Sequence, residues 1–375
     1  IEMAKRGEIK PTLFVVTLKD ELRPIEKVEQ GKTRIFQNGP VDFTMAVRKY
    51  FGAFIAHCHG GGGLYRETAT GVNPNSIGWT AIYRWMEEVS KRCRCGDYEN
   101  FDSTCSHQSG CDYAECANGW YDDDEENKNI RRVLVSTAVT TMQIIEDIVV
   151  LFKQGNPSGW TGTTHFNDFN NMRYHRYAYC KLTPFMLSDY NQLIRSIFVG
   201  DDNATAQHQI VSQYITPKTW TECLRTINVF YTDAHKSDAL VEECDLKEAV
   251  FMKRGWKKHD KFDVYTAPLD MDVIDNIARW CEGDPNCMED QMQRFNATLL
   301  ELSNYSKELF IKYRRKFVEY CGLISRSGYH IDAGRLITYT QCEQLKFPEF
   351  YDSFKEINKI LEPTQRDASS FQNLL

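Results

Sequence analysis

The chain of 375 residues is 42% hydrophobic and 13% aromatic, enough to bury a sizeable core and too much for a disordered polymer. Its formal net charge of −7 excludes a basic surface overall, though not a basic channel confined to one face. The longest apolar region, Val133 to Phe152, is broken by Glu146 and Asp147, so no membrane span is indicated.

No internal repeat and no signal-peptide pattern opens the chain, and a start at Ile1 suits either a fragment or a processed polyprotein product. The 13 cysteines are odd in number and irregularly spaced, which fits free thiols in a reducing compartment better than a disulfide framework. Asn203, Asn296 and Asn304 open sequons that are read as chance. In chain order, residues 1–40 mix β-like runs (Leu13 to Leu18, Arg34 to Gln37) with charged stretches. Residues 41–92 read as a helix, a Gly60–Gly63 loop and a second helix around Trp79–Ser90. A strand-like Cys93–Tyr98 follows, then a polar acidic loop over 119–129 and a helix from about Arg131 to Phe152. A glycine-rich loop, Gly155–Gly162, precedes another helix, and strands near Ile194–Val199 and Asn203–Ala206 flank Gly200-Asp201-Asp202 as a tight hairpin. From about Met271 the apolar spacing is helical to the end. The alternation predicts an α+β catalytic lobe followed by a helical one.

Two groups of carboxylates stand out. Asp97 ends a strand with Asp102 five residues on, and Asp201 with Asp202 sits at a hairpin tip. Phosphoryl transfer needs charge neutralised on the attacking and leaving oxygens, which two metal ions about 4 Å apart accomplish when carboxylates from different strands bridge them. Magnesium in particular favours a few carboxylates completed by phosphates and water. Alone, Gly-Asp-Asp also describes a solvated turn, and a basic run such as Lys19 to Arg34 also describes a charged hairpin.

The order of motifs is more specific. Lys19-Asp20-Glu21-Leu22-Arg23 with Lys27 to Arg34, Asp97-Tyr98-Glu99-Asn100-Phe101-Asp102, Ser158-Gly159-Trp160-Thr161-Gly162-Thr163 with Asn167, Val199-Gly200-Asp201-Asp202, Ala234-His235-Lys236-Ser237 and Phe251-Met252-Lys253-Arg254 succeed one another along the chain. This series resembles the fingertip motif and the five palm motifs of the picornavirus-like, positive-strand RNA virus RNA-dependent RNA polymerases, and Asp270–Trp280 looks like the start of their thumb. The resemblance implies an α+β right-hand fold with an antiparallel palm sheet flanked by helices and a helical thumb. It divides the chain into fingers (1–55), palm (56–118), a fingers insertion (119–156), palm again (157–258) and thumb (259–375). Family members carry a long segment ahead of the basic motif, so the chain is expected to be N-terminally incomplete.

The implied site residues follow. Asp97, Asp201 and Asp202 would bind two Mg²⁺ or Mn²⁺ ions, and Lys236 would protonate the pyrophosphate leaving group. Lys19, Arg23, Lys27, Lys32 and Arg34 would meet the incoming nucleotide, with Arg34 covering it and Lys27 and Lys32 facing phosphates. Asp102, Thr163 and Asn167 would read the ribose 2′-hydroxyl; Thr163 and Asn167 share one helix face. Ser158 and Gly159 would form a flexible loop at the site, and Lys253 and Arg254 would grip the primer backbone.

Departures from the family pattern are Val199 where Tyr is usual, His235 where Asp is usual, and Asp168 where Ser is usual; Asp168 would then bear on nucleotide selection. His57-Cys58-His59 lacks a second ligand pair at zinc spacing, and Cys93, Cys95, Cys105, Cys111 and Cys116 are read as small packing residues. The expected partners are template and primer RNA, ribonucleoside triphosphates, a genome-linked protein primer and other viral replication proteins. Work at membrane-associated replication complexes in the host-cell cytoplasm is expected. The competing readings are a catalytically silent RNA-binding module on the same scaffold and a reverse transcriptase.

Overall fold

The computed structural model describes residues 1–21, 23–60, 67–232, 240–280, 284 and 286–351. After a short helix α1 (Glu2–Lys5), strand β1 (Leu13–Leu18) buries Phe14 and exposes Leu13 and Val15, the period-two pattern of a strand covered on one face. Helix α2 (Ile25–Glu29) occupies the turn that leads back to β2 (Ile35–Asn38), antiparallel to β1 with Val15 opposite Asn38 and Leu18 opposite Ile35. The basic run therefore folds as strand, helix and strand rather than as a plain strand-turn-strand. Helix α3 (Val41–Gly60) buries Phe43, Val47, Phe51 and Phe54 along one stripe. Helix α4 (Ile77–Glu87) starts where the Ser76 hydroxyl accepts the Gly78 N–H at 3.1 Å.

Strand β3 (Arg92–Tyr98) leads through Asn100, left-handed at φ 51°, into α5 (Phe101–Thr104), α6 (His107–Tyr121) and α7 (Glu125–Val139). The acidic loop expected over 119–129 shrinks to Asp122–Asp124, because Asp124 caps α7 by accepting the Asn127 N–H at 2.8 Å. The helix expected to reach Phe152 stops at Val139 and gives way to a hairpin, β4 (Thr141–Ile145) and β5 (Ile148–Phe152). Its β-branched side chains favour a strand, and Glu146, at φ 55°, starts the two-residue turn with Asp147 that pairs Ile145 with Ile148. The apparent interruption of an apolar helix is thus a hairpin turn.

Helix α8 (Thr163–Leu182) is followed by α9 (Tyr190–Leu193), the hairpin β6 (Ile194–Val199) and β7 (Asp202–Gln207), α10 (Gln209–Ser212), α11 (Pro217–Arg225) and β8 (Tyr231–Thr232). The remainder holds β9 (Cys244–Asp245), β10 (Lys257–Lys258), β11 (Tyr265–Thr266) and the helices α12 (Met271–Arg279), α13 (Met288–Leu302), α14 (Lys307–Arg326) and α15 (Tyr339–Lys346). The helical pattern expected from about Met271 is present as far as the described residues reach, and residues 352–375 lie outside them.

The described residues form two compact units, one of Ile1–Gly71 with Cys95–Glu242, the other of Val72–Arg94 with the residues after Glu242. In the first unit, one sheet runs β2-β1-β4-β5, with β1 parallel to β4, and another runs β6-β7-β3-β8. Two apolar clusters fill this unit. Phe14, Phe51, Tyr113, Leu134 and Phe166 form one, and Tyr98, Tyr174, Tyr179, Trp220 and Tyr231 the other. Phe166 near the start of α8 belongs to the first and Tyr174 and Tyr179 near its end to the second, each burial contributing roughly 1.5–3 kcal/mol. The middle of α8 is thereby held under the second sheet.

In the second unit, Arg92 and Cys93 pair with Asp245 and Cys244, and α12 to α15 pack around Ile274, Phe295, Leu299 and Phe310. The cysteines among the described residues are free thiols; Cys93 and Cys105 are buried as expected, whereas Cys116 is exposed. No helix among the described residues is long and apolar enough to cross a membrane.

Candidate active site

The Gly200-Asp201 pair is the two-residue turn between β6 and β7, with Val199 opposite Asp202. Gly200 sits at φ 65° at the first turn position, where a hairpin that follows strand twist requires a left-handed residue. Asp201 and Asp202 are exposed, as a turn at a strand end dictates. Strand β7 lies beside β3, whose last residues include Asp97, paired with Thr232 of β8.

Side-chain amides tie these two strand ends together. Asn203 donates to the carbonyl oxygens of Gly96 and Asp201, both at 3.2 Å, and accepts from the Tyr231 hydroxyl at 2.7 Å. Asn171 of α8 donates to the carbonyls of Gly200 and Asp201, each at 3.2 Å, and accepts from the Tyr98 hydroxyl at 2.8 Å. The neighbours of Asp97 on both sides are therefore bonded through one asparagine each to the acidic turn. Gly96 carries no side chain because a Cβ there would lie 2.4 Å from the Tyr231 ring.

The Asp102 carboxylate accepts from the Asn167 amide at 2.8 Å, and Asn167 accepts in turn from Asn156 at 2.7 Å. Asp102 is exposed at the surface, yet the protein packed around its carboxylate raises its pKa chiefly by stripping hydration. The Asn167 bond opposes that rise, the negative charge of Asp201 adds to it, and the Arg34 guanidinium opposes it. Asp102, Asp201 and Arg34 thus feel one another. Thr163 does not join them: its hydroxyl donates to the carbonyls of Pro157 and Trp160 at 2.8 and 2.9 Å, closing the turn that starts α8.

The loop before α8 is docked on β2 rather than open. Ser158 donates its N–H and hydroxyl to the Gln37 side chain at 3.0 and 2.8 Å, and the Gly39 N–H donates to the Gly159 carbonyl at 3.1 Å. A Cβ on Gly159 would fall 2.0 Å from the Gln37 carbonyl oxygen. Lys19 and Arg34 meet at the end of the β1–β2 pair, where the Lys19 N–H donates to the Arg34 carbonyl at 2.8 Å. Glu21 faces both Arg34 and Arg23, at 3.3 and 3.7 Å, while the Lys19, Lys27 and Lys32 side chains are exposed.

Other expected residues fall elsewhere. Arg254, expected to grip the primer, has its guanidinium paired inside the second unit with both Glu301 carboxylate oxygens at 2.7 and 2.9 Å. Lys253 beside it is exposed. Lys236 lies outside the described residues. Asp168, read as bearing on nucleotide selection, is fully buried and accepts from Thr68, Thr70 and the Gly200 N–H. Burial pushes its carboxyl up to about 7 against the pull of those three donors. Asn156, Asn171 and Gln37 were not singled out from the sequence, and Asn203 was read only as opening a chance sequon. The i, i+4 series Thr163, Asn167, Asn171 on α8 was the one available signal.

Among the described residues no three ligating side chains form a ready-made metal cluster. The donors at hand are instead carboxylates on adjacent strand ends, the type magnesium completes with phosphates and water.

Residues 1–322 match the profile of the family described as viral RNA-dependent RNA polymerase. The chain is 31% identical over 327 residues to the replicase polyprotein of Acute bee paralysis virus and 30% identical over 331 residues to that of Cricket paralysis virus. Each match covers 84% of this chain but only 17% and 18% of the relative, so the chain spans about a sixth of these polyproteins. The structure is similar to a solved Sicinivirus 3Dpol RNA-dependent RNA polymerase, with a TM-score of 0.75 and 20% identity over 92% of this chain and 69% of that one. The fold is therefore the α+β right-hand polymerase fold expected from the motifs.

Proposed function

The chain belongs to the viral RNA-dependent RNA polymerase family, and from that premise we propose that it extends an RNA strand on an RNA template. A 3′-hydroxyl attacks the α-phosphate of a ribonucleoside triphosphate and pyrophosphate leaves. The supporting observation is the double asparagine tie, which keeps Asp97 beside the Gly200-Asp201 turn through Gly96 and Tyr98. Asp97, Asp201 and Asp202 would hold Mg²⁺ or Mn²⁺, two ions in all. When bound, these supply the positive charge that offsets the reacting oxygens.

The protein's own groups do the positioning. Asp102, oriented by Asn167, accepts a hydrogen bond from the ribose 2′-hydroxyl, which favours a ribonucleotide over a deoxyribonucleotide. Arg34 with Lys19, Arg23, Lys27 and Lys32 offsets triphosphate charge, and the Ser158-Gly159 loop borders the nucleotide. From the resemblance, Lys236 protonates the leaving pyrophosphate and Lys253 contacts the primer backbone. The fingers, palm and thumb divisions belong to the same proposal. So do template and primer RNA, a protein primer and other replication proteins as partners, at membrane-associated complexes in the host-cell cytoplasm.

Primer extension on an RNA template with Mg²⁺ or Mn²⁺ tests the proposal, comparing the wild type with Asp201→Ala. Loss of extension in the variant is expected, and equal extension by both overturns the metal-ligand assignment. Supplying deoxyribonucleotides in parallel separates this activity from that of a reverse transcriptase.

A further inference from the structure

The acidic turn is gripped from below by α8. The Asp168 carboxylate accepts the Gly200 N–H through one oxygen at 2.6 Å, and the Thr68 and Thr70 hydroxyls through the other at 2.7 and 3.3 Å. Three residues on, the Asn171 amide donates to the carbonyls of Gly200 and Asp201. Residues i and i+3 of a helix share a face, so the two side chains hold the N–H and C=O edges of one peptide turn from one side. The strip bearing Thr68 is itself bonded along β6, where Phe198 N–H donates to the Glu67 carbonyl and Ala69 N–H to the Phe198 carbonyl, each at 2.9 Å. Asp168, Asn171 and Asn203 are all buried, so water does not compete for these bonds.

The geometry points to Asp168 as a positioning residue that, with Asn171, fixes the Gly200-Asp201 turn so that Asp201 presents its carboxylate to a divalent cation. Ser, usual at this place in the family, is one bond shorter at the tip and could not span from α8 to the Gly200 N–H. Here a carboxylate makes that span and is anchored behind by two threonines. This rests on the proposed role of Asp201 as a metal ligand. Groups that orient metal ligands from outside the coordination shell typically change affinity by about 10- to 100-fold when removed.

The test measures Mn²⁺ affinity of the full chain directly, from the electron paramagnetic resonance signal of free Mn²⁺, without substrate and without turnover. Asp168→Ser is expected to weaken Mn²⁺ binding on the order of tenfold while its unfolding remains cooperative. Asp168→Asn keeps an oxygen acceptor for Gly200 and a donor for Thr68, and is expected to restore affinity to within about twofold of wild type. Should Asp168→Ser fail to fold, Asn171→Ser is read in the same way. Asp201→Asn is the reference. If it binds Mn²⁺ like wild type, the metal-ligand reading itself fails and the positioning role goes with it. If Asp201→Asn loses Mn²⁺ while Asp168→Ser or Asn171→Ser binds it like wild type, the positioning role alone is overturned. Failure of Asp168→Asn to rescue would also overturn it, because the amide oxygen keeps the acceptor for the Gly200 N–H on which the positioning role depends.

Discussion

The side chain of Asn203 donates to the backbone carbonyl of Gly96 at 3.2 Å, so the residue after Asp202 holds the residue before Asp97. One amide therefore joins the two strand ends on which the chemistry is proposed to occur. Replacing it leaves the buried Tyr231 hydroxyl without its 2.7 Å acceptor. Asn203→Ala is expected to lower stability by about 1–3 kcal/mol and primer extension by an order of magnitude or more. Denaturant titration and single-nucleotide incorporation measure the two. Unchanged incorporation would show that the tie has no part in setting the site.

Sugar discrimination should depend on Asn167. Its amide is the 2.8 Å partner of Asp102, and without it the carboxylate is free to rotate away from a ribose hydroxyl. Asn167→Ala is expected to cut the ratio of kcat/KM for ATP over dATP by about tenfold, the worth of one hydrogen bond to a charged group. A ratio that stays constant while both rates fall would count against this role.

Two glycines of the site should respond differently to alanine. At Gly200 an added Cβ meets nothing within 4 Å, so the cost is that of a left-handed backbone, roughly 1–2 kcal/mol. At Gly159 the Cβ would overlap the Gln37 carbonyl at 2.0 Å, and the loop must lift off β2. Gly159→Ala is expected to lose more activity than Gly200→Ala and to raise the KM for nucleotide, as steady-state incorporation would reveal. The reverse ranking would mean that the docked loop is not the working conformation.

Acid should weaken the first unit through His165. Burial, with His59 nearby, pushes this imidazole down to about 3 from the ordinary 6.5. The unfolded chain thus takes up a proton that the folded chain refuses, so stability is full above pH 6.5 and declines as pH falls below it. The slope attributable to this group is about 1.4 kcal/mol per pH unit. Urea unfolding of the wild type and His165→Phe between pH 7 and 5 isolates it. The variant loses the 2.8 Å contact with Tyr113 at every pH but should lack this share of the slope.

Much of the site could be read from the residues because its chemistry is local. Gly200 takes the left-handed first position of its turn, which favours glycine, and Asp97 lies next to the end of its strand, so their spacing shows in the linear sequence. Asn167 beside Asp102 was legible from helix periodicity plus the motif order. The supports were not, because Asn203, Asn171 and Gln37 act through bonds to backbone groups far along the chain, and an asparagine does not advertise which carbonyl it will meet. The burial of Asp168 was illegible for a related reason. An acid next to a residue expected to read the nucleotide invites a substrate role, but on a helix the next residue points about 100° away, here into the interior. The Val133 to Phe152 run shows the corresponding limit for fold, since apolar content alone does not separate a helix from a helix followed by a hairpin.

The parallel pairing of β1 with β4, Leu13 beside Met142 and Val15 beside Ile144, has a bearing on how the chain is made. While the ribosome is still translating the intervening stretch, the N-terminal hairpin waits with one edge unfilled, an invitation to stick to a neighbouring nascent chain. That edge of β1 finds its partner only once a strand more than a hundred positions downstream has emerged from the exit tunnel. Slow decoding across that interval would thus lengthen the vulnerable window, and yield of active protein should track translation speed there.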